Sequence, residues 1–359
     1  RLNLAAALHW LVQNDGAAAL QMVAALREFW YMRGWFSEGR QWAEAALRTA
    51  NAAAPTLRAG ALLALGQMLL NGGEAAAAQT ALHEAVALLR SAGDLTACAR
   101  ALIELGWATY LGHAEQASVR WFEESLALAR QLGDAPLTAH ALTSLTHVLV
   151  YEGAYTPQLH AYILQSIALY RQLGNEHGLA EALLNLCTFL FQTDDRTAAL
   201  AAARQAVAVA EHNQLAGTRG WVYTVLAELL LLEKEGLDEA QLRLDAALLL
   251  FQEAGQPDGV LIIQHHLGDL AQRRGQWETA AGYYRTSHAA ALARDDRRMV
   301  ARCLIGLGQV ALAQNRREEA KRHLQDAGDL LAALPAFLPP AVLAEFAAAQ
   351  AEANIGDEK

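Results

Sequence analysis

Apolar residues along this chain recur three and four apart, in runs separated by short polar or glycine-containing breaks. That spacing predicts amphipathic helices from end to end. β-branched residues are too sparse and scattered to build a sheet, so the expected class is all-α. The helices come in similar pairs. The segments beginning at Ala61, Ala101 and Cys303 each carry an L-x-x-L-G run. Each then has a polar or glycine turn, a small residue, an apolar residue four later and Ala or Ser three after that.

Anchoring every unit on the residue after the second leucine gives Arg27, Gly66, Gly106, Thr146, Cys187, Ala227, Gly268 and Gly308, at spacings of 39, 40, 40, 41, 40, 41 and 40. Eight units at one period mark a repeat protein, in which each module hides its apolar side only by stacking on its neighbours. Gly66, Gly106, Gly268 and Gly308 lie in mid-helix, where glycine costs about 1 kcal/mol against alanine. A cost repeated in register implies close approach of the partner helix. In the second helices the small residues Ala78, Ser118, Ala199, Ala240, Ala280 and Ala320 are followed by Leu82, Phe122, Ala203, Leu244, Tyr284 and Leu324. Gly93, Gly133, Gly174 and Gly255 stand where a left-handed residue ends a helix. The polar residue after each is placed to open the next helix.

This small/large pattern resembles the tetratricopeptide (TPR) repeat, with Trp277 in the aromatic place at the start of a second helix in "GQWETAAGYY". The usual repeat is about 34 residues, and these units are longer. The length, with the opening "LNLAAALHWLVQNDGAAALQMVAALREFWYMRGWFSEGRQWAEAAL", resembles the sensor arms of bacterial STAND regulators, multidomain signalling ATPases that include MalT-like transcription activators. The resemblance implies a right-handed α-solenoid superhelix of about eight TPR-like hairpins forming one domain over 1–359. Residues 1–19 would be an N-terminal capping helix, 20–334 the repeats, and 335–359 a C-terminal capping helix and tail. It further implies a ligand-binding arm that biases an attached nucleotide-binding domain. No phosphate loop occurs here, so nucleotide and DNA binding would belong to other segments. The alternative is a protein-interaction scaffold that clasps a helix or peptide, or copies of itself.

In a TPR frame, recognition positions fall about −6, −3, +1, +4 and +5 from the anchor, on the first helix of each hairpin. They yield aromatic residues with polar tips in units three to six. The expected concave groove centres on Trp107, Tyr110, His147, Tyr151, Phe191 and Trp221. Arg100, His140, Glu181, Glu228, His265, Asp269 and Arg302 add polar and charged contacts at its rim. Such side chains give much contact area for little lost entropy. The competing reading has the aromatics merely packing against neighbouring first helices. The expected occupant is a protein, a peptide or a small-molecule inducer.

Charge and composition narrow the partners. The net charge is −10 over 359 residues, and lysine is confined to Lys234, Lys321 and Lys359. That excludes a basic face for nucleic acid or an anionic membrane, and no apolar run reaches the roughly 18 residues of a membrane span. Cys98, Cys187 and Cys303 are far apart and odd in number. They read as buried free thiols in a reducing cytoplasm. The chain opens on Arg1 within a helical pattern, without Met or a signal peptide, which suggests a piece of a longer protein. His140 and His147, two turns apart, lack the third ligand a metal site needs. His265 and Asp269 are spaced for a His–carboxylate contact on one helix face. Neither pair, nor any hydrolase motif, points to catalysis or a cofactor. Trp10, Phe29, Trp30, Trp35, Phe36 and Trp42 crowd the first unit, either as a cap core or as a docking surface.

Overall fold

A computed structural model describes residues 2–50, 53–112, 114–213, 216–233, 236–333 and 340–354. Among them there is no strand, and nineteen helices follow one another, α1 to α19. They divide into two compact units, residues 1–149 and 150–359.

In the first unit α1 (Leu2–Asn14), α2 (Gly16–Ala25), α3 (Arg27–Arg33) and α4 (Phe36–Thr49) precede the pairs α5 (Pro55–Asn71) with α6 (Ala75–Ala92) and α7 (Leu95–Leu111) with α8 (Glu115–Leu132). Helix α9 (Ala135–Tyr151) crosses the unit boundary in sequence. The first repeat departs from the simple hairpin, because its first helix breaks at Leu26 and its anchor, Arg27, starts the short α3. Trp30 is buried there, while Phe29, Trp35, Phe36 and Trp42 pack against the same core. Trp10 is 60% exposed, so five of the six N-terminal aromatics belong to the core of the unit.

The second unit opens with α10 (Pro157–Leu173) against α11 (Glu176–Gln192), which pairs with α12 (Arg196–His212). Three further pairs follow: α13 (Ala216–Leu230) with α14 (Leu237–Glu253), α15 (Pro257–Arg273) with α16 (Trp277–Leu292), and α17 (Arg297–Ala313) with α18 (Arg317–Ala333). A last helix, α19 (Pro340–Asn354), lies on α17 and α18. Proline at its first position suits a helix start, where the missing N–H has no partner to lose.

The mid-helix glycines explain how tightly each pair closes. A Cβ on Gly66 would lie 2.7 Å from Leu82, on Gly106 2.5 Å from Phe122, on Gly268 2.6 Å from Tyr284 and on Gly308 2.8 Å from Leu324. The large residue of the second helix thus occupies the space a side chain on the first would need. All four large residues are buried. The alternation of small and large positions in sequence is therefore one steric fit, repeated.

The helix stops are as spaced. Gly93, Gly133, Gly174 and Gly255 take φ of 73°, 64°, 63° and 62°, conformations that cost a residue with a Cβ. Asp94, Asp134 and Asn175 then accept from the backbone N–H groups of Ala97, Leu137 and Gly178 at 2.9, 2.9 and 3.0 Å. Gln256 makes no such cap, and Pro257 opens α15 instead. Replacing Asp94 by Ala should cost about 1 kcal/mol and speed amide exchange in the first turn of α7. Unchanged exchange there would show that the cap contributes nothing.

Candidate functional site

The predicted recognition residues fall into separate groups. In the first unit Trp107 and Tyr110 of α7 meet His147 of α9, with ring centroids 5.1 and 5.9 Å apart. Trp107 also donates from Nε1 to Ser144 Oγ at 3.2 Å and sits edge-on to Phe122 at 5.6 Å. These rings are half-buried and pack between neighbouring first helices. Arg100 and His140 are exposed about two turns before Trp107 and His147 on the same helices.

In the second unit Tyr151 and Trp221 are exposed, and Trp221 leans on Phe251 of α14 at 4.9 Å. Glu181 lies 3.7 Å from His177 on its own helix, and burial pushes its carboxyl above the usual range. None of these three reaches the cavity described next.

That cavity, of about 380 Å³, is where Phe191, Glu228, His265, Asp269 and Arg302 come together. Its wall also holds Gln272, Arg273, Trp277, Ile305 and Gln309, and α19 contributes Val342 and Glu345. The repeat geometry accounts for the set. Phe191 stands at +4 of its anchor, Glu228 and Asp269 at +1, His265 and Ile305 at −3, and Arg302 at −6. One face of α11, α13, α15 and α17 therefore builds most of the wall. Of the residues expected at a rim, Glu228, His265, Asp269 and Arg302 line it, while Arg100, His140, Glu181 and the aromatics Tyr151 and Trp221 lie elsewhere.

Asp269 is the hub. Its Oδ1 accepts from the Tyr284 hydroxyl at 2.7 Å, and its Oδ2 lies 3.3 Å from His266 Nδ1 and 3.6 Å from His265 Nε2. Burial pushes its carboxyl up, but His265, His266 and Arg302 outweigh this and hold it well below the usual carboxylate range. Burial drives the His265 imidazole down to about 3, with Arg302 and His266 adding to the shift against the pull of Asp269. The Cys303 thiol, 3.8 Å from His265 Nδ1, is raised by burial to about 11. Tyr284 is raised further by burial and by Asp269. Around neutral pH this cluster holds a carboxylate, a neutral imidazole, a phenol and a thiol. His266, which the repeat frame passes over at −2, is the nearer imidazole. Its spacing of three from Asp269 is the only sequence signal for it.

The remaining wall charges pair loosely across hairpins. Arg302 of α17 lies 3.6 Å from Glu228 of α13, and Arg273 of α15 lies 4.0 Å from Glu345 of α19. Gln272 donates to Gln309 at 2.9 Å. No described helix is long and apolar enough to cross a membrane.

A tetratricopeptide repeat model matches residues 259–332, the stretch that carries most of the cavity wall. A model of anaphase-promoting complex subunit 5 matches residues 51–108, 101–152 and 158–229. No curated relative matches the chain. Among solved structures, a Rap protein complexed with Competence and Sporulation Factor is similar over 91% of this chain and 87% of its own, at TM-score 0.68 and 11% identity. The apo quorum sensor NprR from B. thuringiensis is similar over 86% of both chains, at 0.63 and 11%. The Cut9-Hcn1 hetero-tetramer of APC/C is similar over 96% of this chain and 58% of the other, at 0.60 and 14%. At these identities the likeness is one of fold, and that fold is the TPR-like helical solenoid.

Proposed function

We propose that this chain is a binding module, and that the cavity of its second unit seats a small ligand or a short segment of a protein partner. One observation carries the reading. A mainly apolar cavity of about 380 Å³ with several polar groups is walled mostly by the same face of four successive first helices, which is how a stacked repeat presents a recognition surface. Phe191, Trp277, Ile305 and Val342 offer apolar contact. Gln272, Gln309, Arg273 and Arg302 offer a few directed polar groups, the usual make-up of a ligand site. Two proteins of this fold support the reading: the Rap protein is solved with Competence and Sporulation Factor, and NprR is a quorum sensor. The protein assembly formed by Cut9 and Hcn1 supports the scaffold form of the same idea.

The finer reading is a sensor arm of a STAND-type, MalT-like regulator, supported by the repeat length and by the first fifty residues. In that reading capture in the cavity biases an attached ATPase, which requires different affinity for its two states. The Trp107, Tyr110 and His147 cluster of the first unit is then a second, more apolar recognition face. Arg100 and His140 add polar contacts within the first unit, and Tyr151, Glu181 and Trp221 add contacts within the second.

Selection of displayed random peptides on the full chain tests this. Gln309→Trp fills the cavity from a half-exposed wall position, so it should abolish capture of the selected peptides with helicity unchanged. Peptides that bind the variant as well as the parent would place recognition elsewhere and sink the proposal.

A further inference from the structure

Two features of the second helices are not explained by packing within the fold. The outward stripe of α14 carries Leu242, Asp245 and Leu249, and its leucines are 65% and 60% exposed. On α12 the matching positions hold Ala201, Arg204 and Ala208. Forty residues on from the leucines, the same stripe of α16 holds Gly282, Arg285 and Ala289, all exposed. Glycine weakens a helix relative to alanine. At Gly268 and Gly308 it makes room for a large neighbour. At Gly282 it makes room for nothing, because a Cβ there would meet no atom within 4 Å.

The charges between these positions are also open. Asp245 accepts from the Gln241 amide of its own helix at 2.9 Å, and among the described residues it has no ion pair. Arg285 makes neither a hydrogen bond nor an ion pair among the described residues. Arg204, its counterpart on α12, is held by Glu239 at 3.3 Å. The stripes of α14 and α16 are therefore complementary. Laid together in parallel and in register, Leu242 meets Gly282, Asp245 meets Arg285 and Leu249 meets Ala289. Within one chain both stripes face outward, so neither can cover the other.

We propose that this face docks a second copy of this chain. A two-fold axis running along the helices, midway between α14 and α16, sets α14 of each copy on α16 of the other in register. Every contact is then made twice, as in an isologous interface. The partner follows from the chain itself, since one face carries both halves of the fit. The leucines seat in the hollows above Gly282 and Ala289. The two aspartate–arginine pairs fix the register, because a shifted pairing would bring like charges or bulky side chains together. The cavity stays open, since none of the six residues lines it.

Two helices a side make a small interface, so the expected dissociation constant is about 10 μM. Sedimentation velocity of the full chain, from about 1 to about 200 μM, spans that value. The parent should pass from monomer to mostly dimer. Asp245→Arg and Arg285→Asp should each weaken association at least about thirtyfold, because like charges then meet twice. Mixed in equal amounts, the two variants should associate as the parent does, since both arginines of one then meet both aspartates of the other. Gly282→Gln should abolish association with helicity unchanged, and Arg204→Gln should leave association unchanged. The inference is overturned by a parent that stays monomeric throughout, by charge or Gly282 variants that associate like the parent, by a mixture that stays monomeric, or by loss of association in Arg204→Gln.

Discussion

Tyr284→Ala is expected to destabilise the second unit by about 4 kcal/mol, the usual cost of deleting a buried aromatic ring. Tyr284 is 1% exposed, and its ring fills the space above both Gly268 and Gly306, where a Cβ would come within 2.6 Å of it. It therefore joins α16 to α15 and α17 at once. Its hydroxyl also donates to Asp269, so the alanine variant leaves an anionic oxygen on the cavity wall short of a donor. Tyr284→Phe separates the two contributions, and losing a hydrogen bond to a charged group costs about 2 kcal/mol. Stacked repeats open locally, so the loss should be read from amide exchange in α15 to α18 rather than from one melting curve. Helices α5 to α8 should be unaffected. An alanine variant no less stable than the phenylalanine variant would refute the packing account.

Stability of the same unit should also fall as pH drops below about 6.5, the ordinary value for an imidazole. His265 is buried and titrates at about 3 in the fold. Between those values the unfolded chain binds a proton that the folded chain refuses. The contribution of His265 is therefore complete above pH 6.5 and declines by about 1.4 kcal/mol per unit as pH falls toward 3. At pH 5 the loss is about 2 kcal/mol. Asp269, held below the usual carboxylate range, acts in the same direction at lower pH. Its share is present above about 3.9 and is lost as pH falls below that. The groups facing His265 are Asp269, His266, Arg302, Cys303 and Tyr284. Comparing urea midpoints at pH 7 and pH 5 for the parent and His265→Gln checks the assignment. The variant should lose most of the difference, and a parent with equal midpoints would contradict it.

Much of this architecture is legible in the residues because one steric rule recurs at Gly66, Gly106, Gly268 and Gly308. Gly106 with Phe122, and Gly268 with Tyr284, can be matched from the small/large alternation before any coordinates are seen. The glycine stops are equally readable, since φ near +65° leaves few other choices. The break at Leu26 is not, because no proline or glycine marks it and the apolar period runs through. The binding face is half legible. The repeat frame finds Phe191, Glu228, His265, Asp269 and Arg302 by offset alone. It cannot say that α19 folds over them, since the contact of Glu345 with Arg273 joins positions far apart in sequence with no pattern to link them. It also favours Tyr151 and Trp221 for being aromatic, whereas the cavity is built mainly around Asp269 and its donors. The histidine nearest that carboxylate, His266, falls between the frame positions and so escapes it.

The most direct test of the central claim is to locate a captured peptide on the chain. Photo-crosslinking benzoylphenylalanine is placed singly at Gln309, which lines the cavity, and at Leu249, which is 60% exposed on α14. A selected peptide should couple efficiently at position 309 and not at 249. Coupling at 249 with none at 309 would put recognition on the second helices and contradict the account.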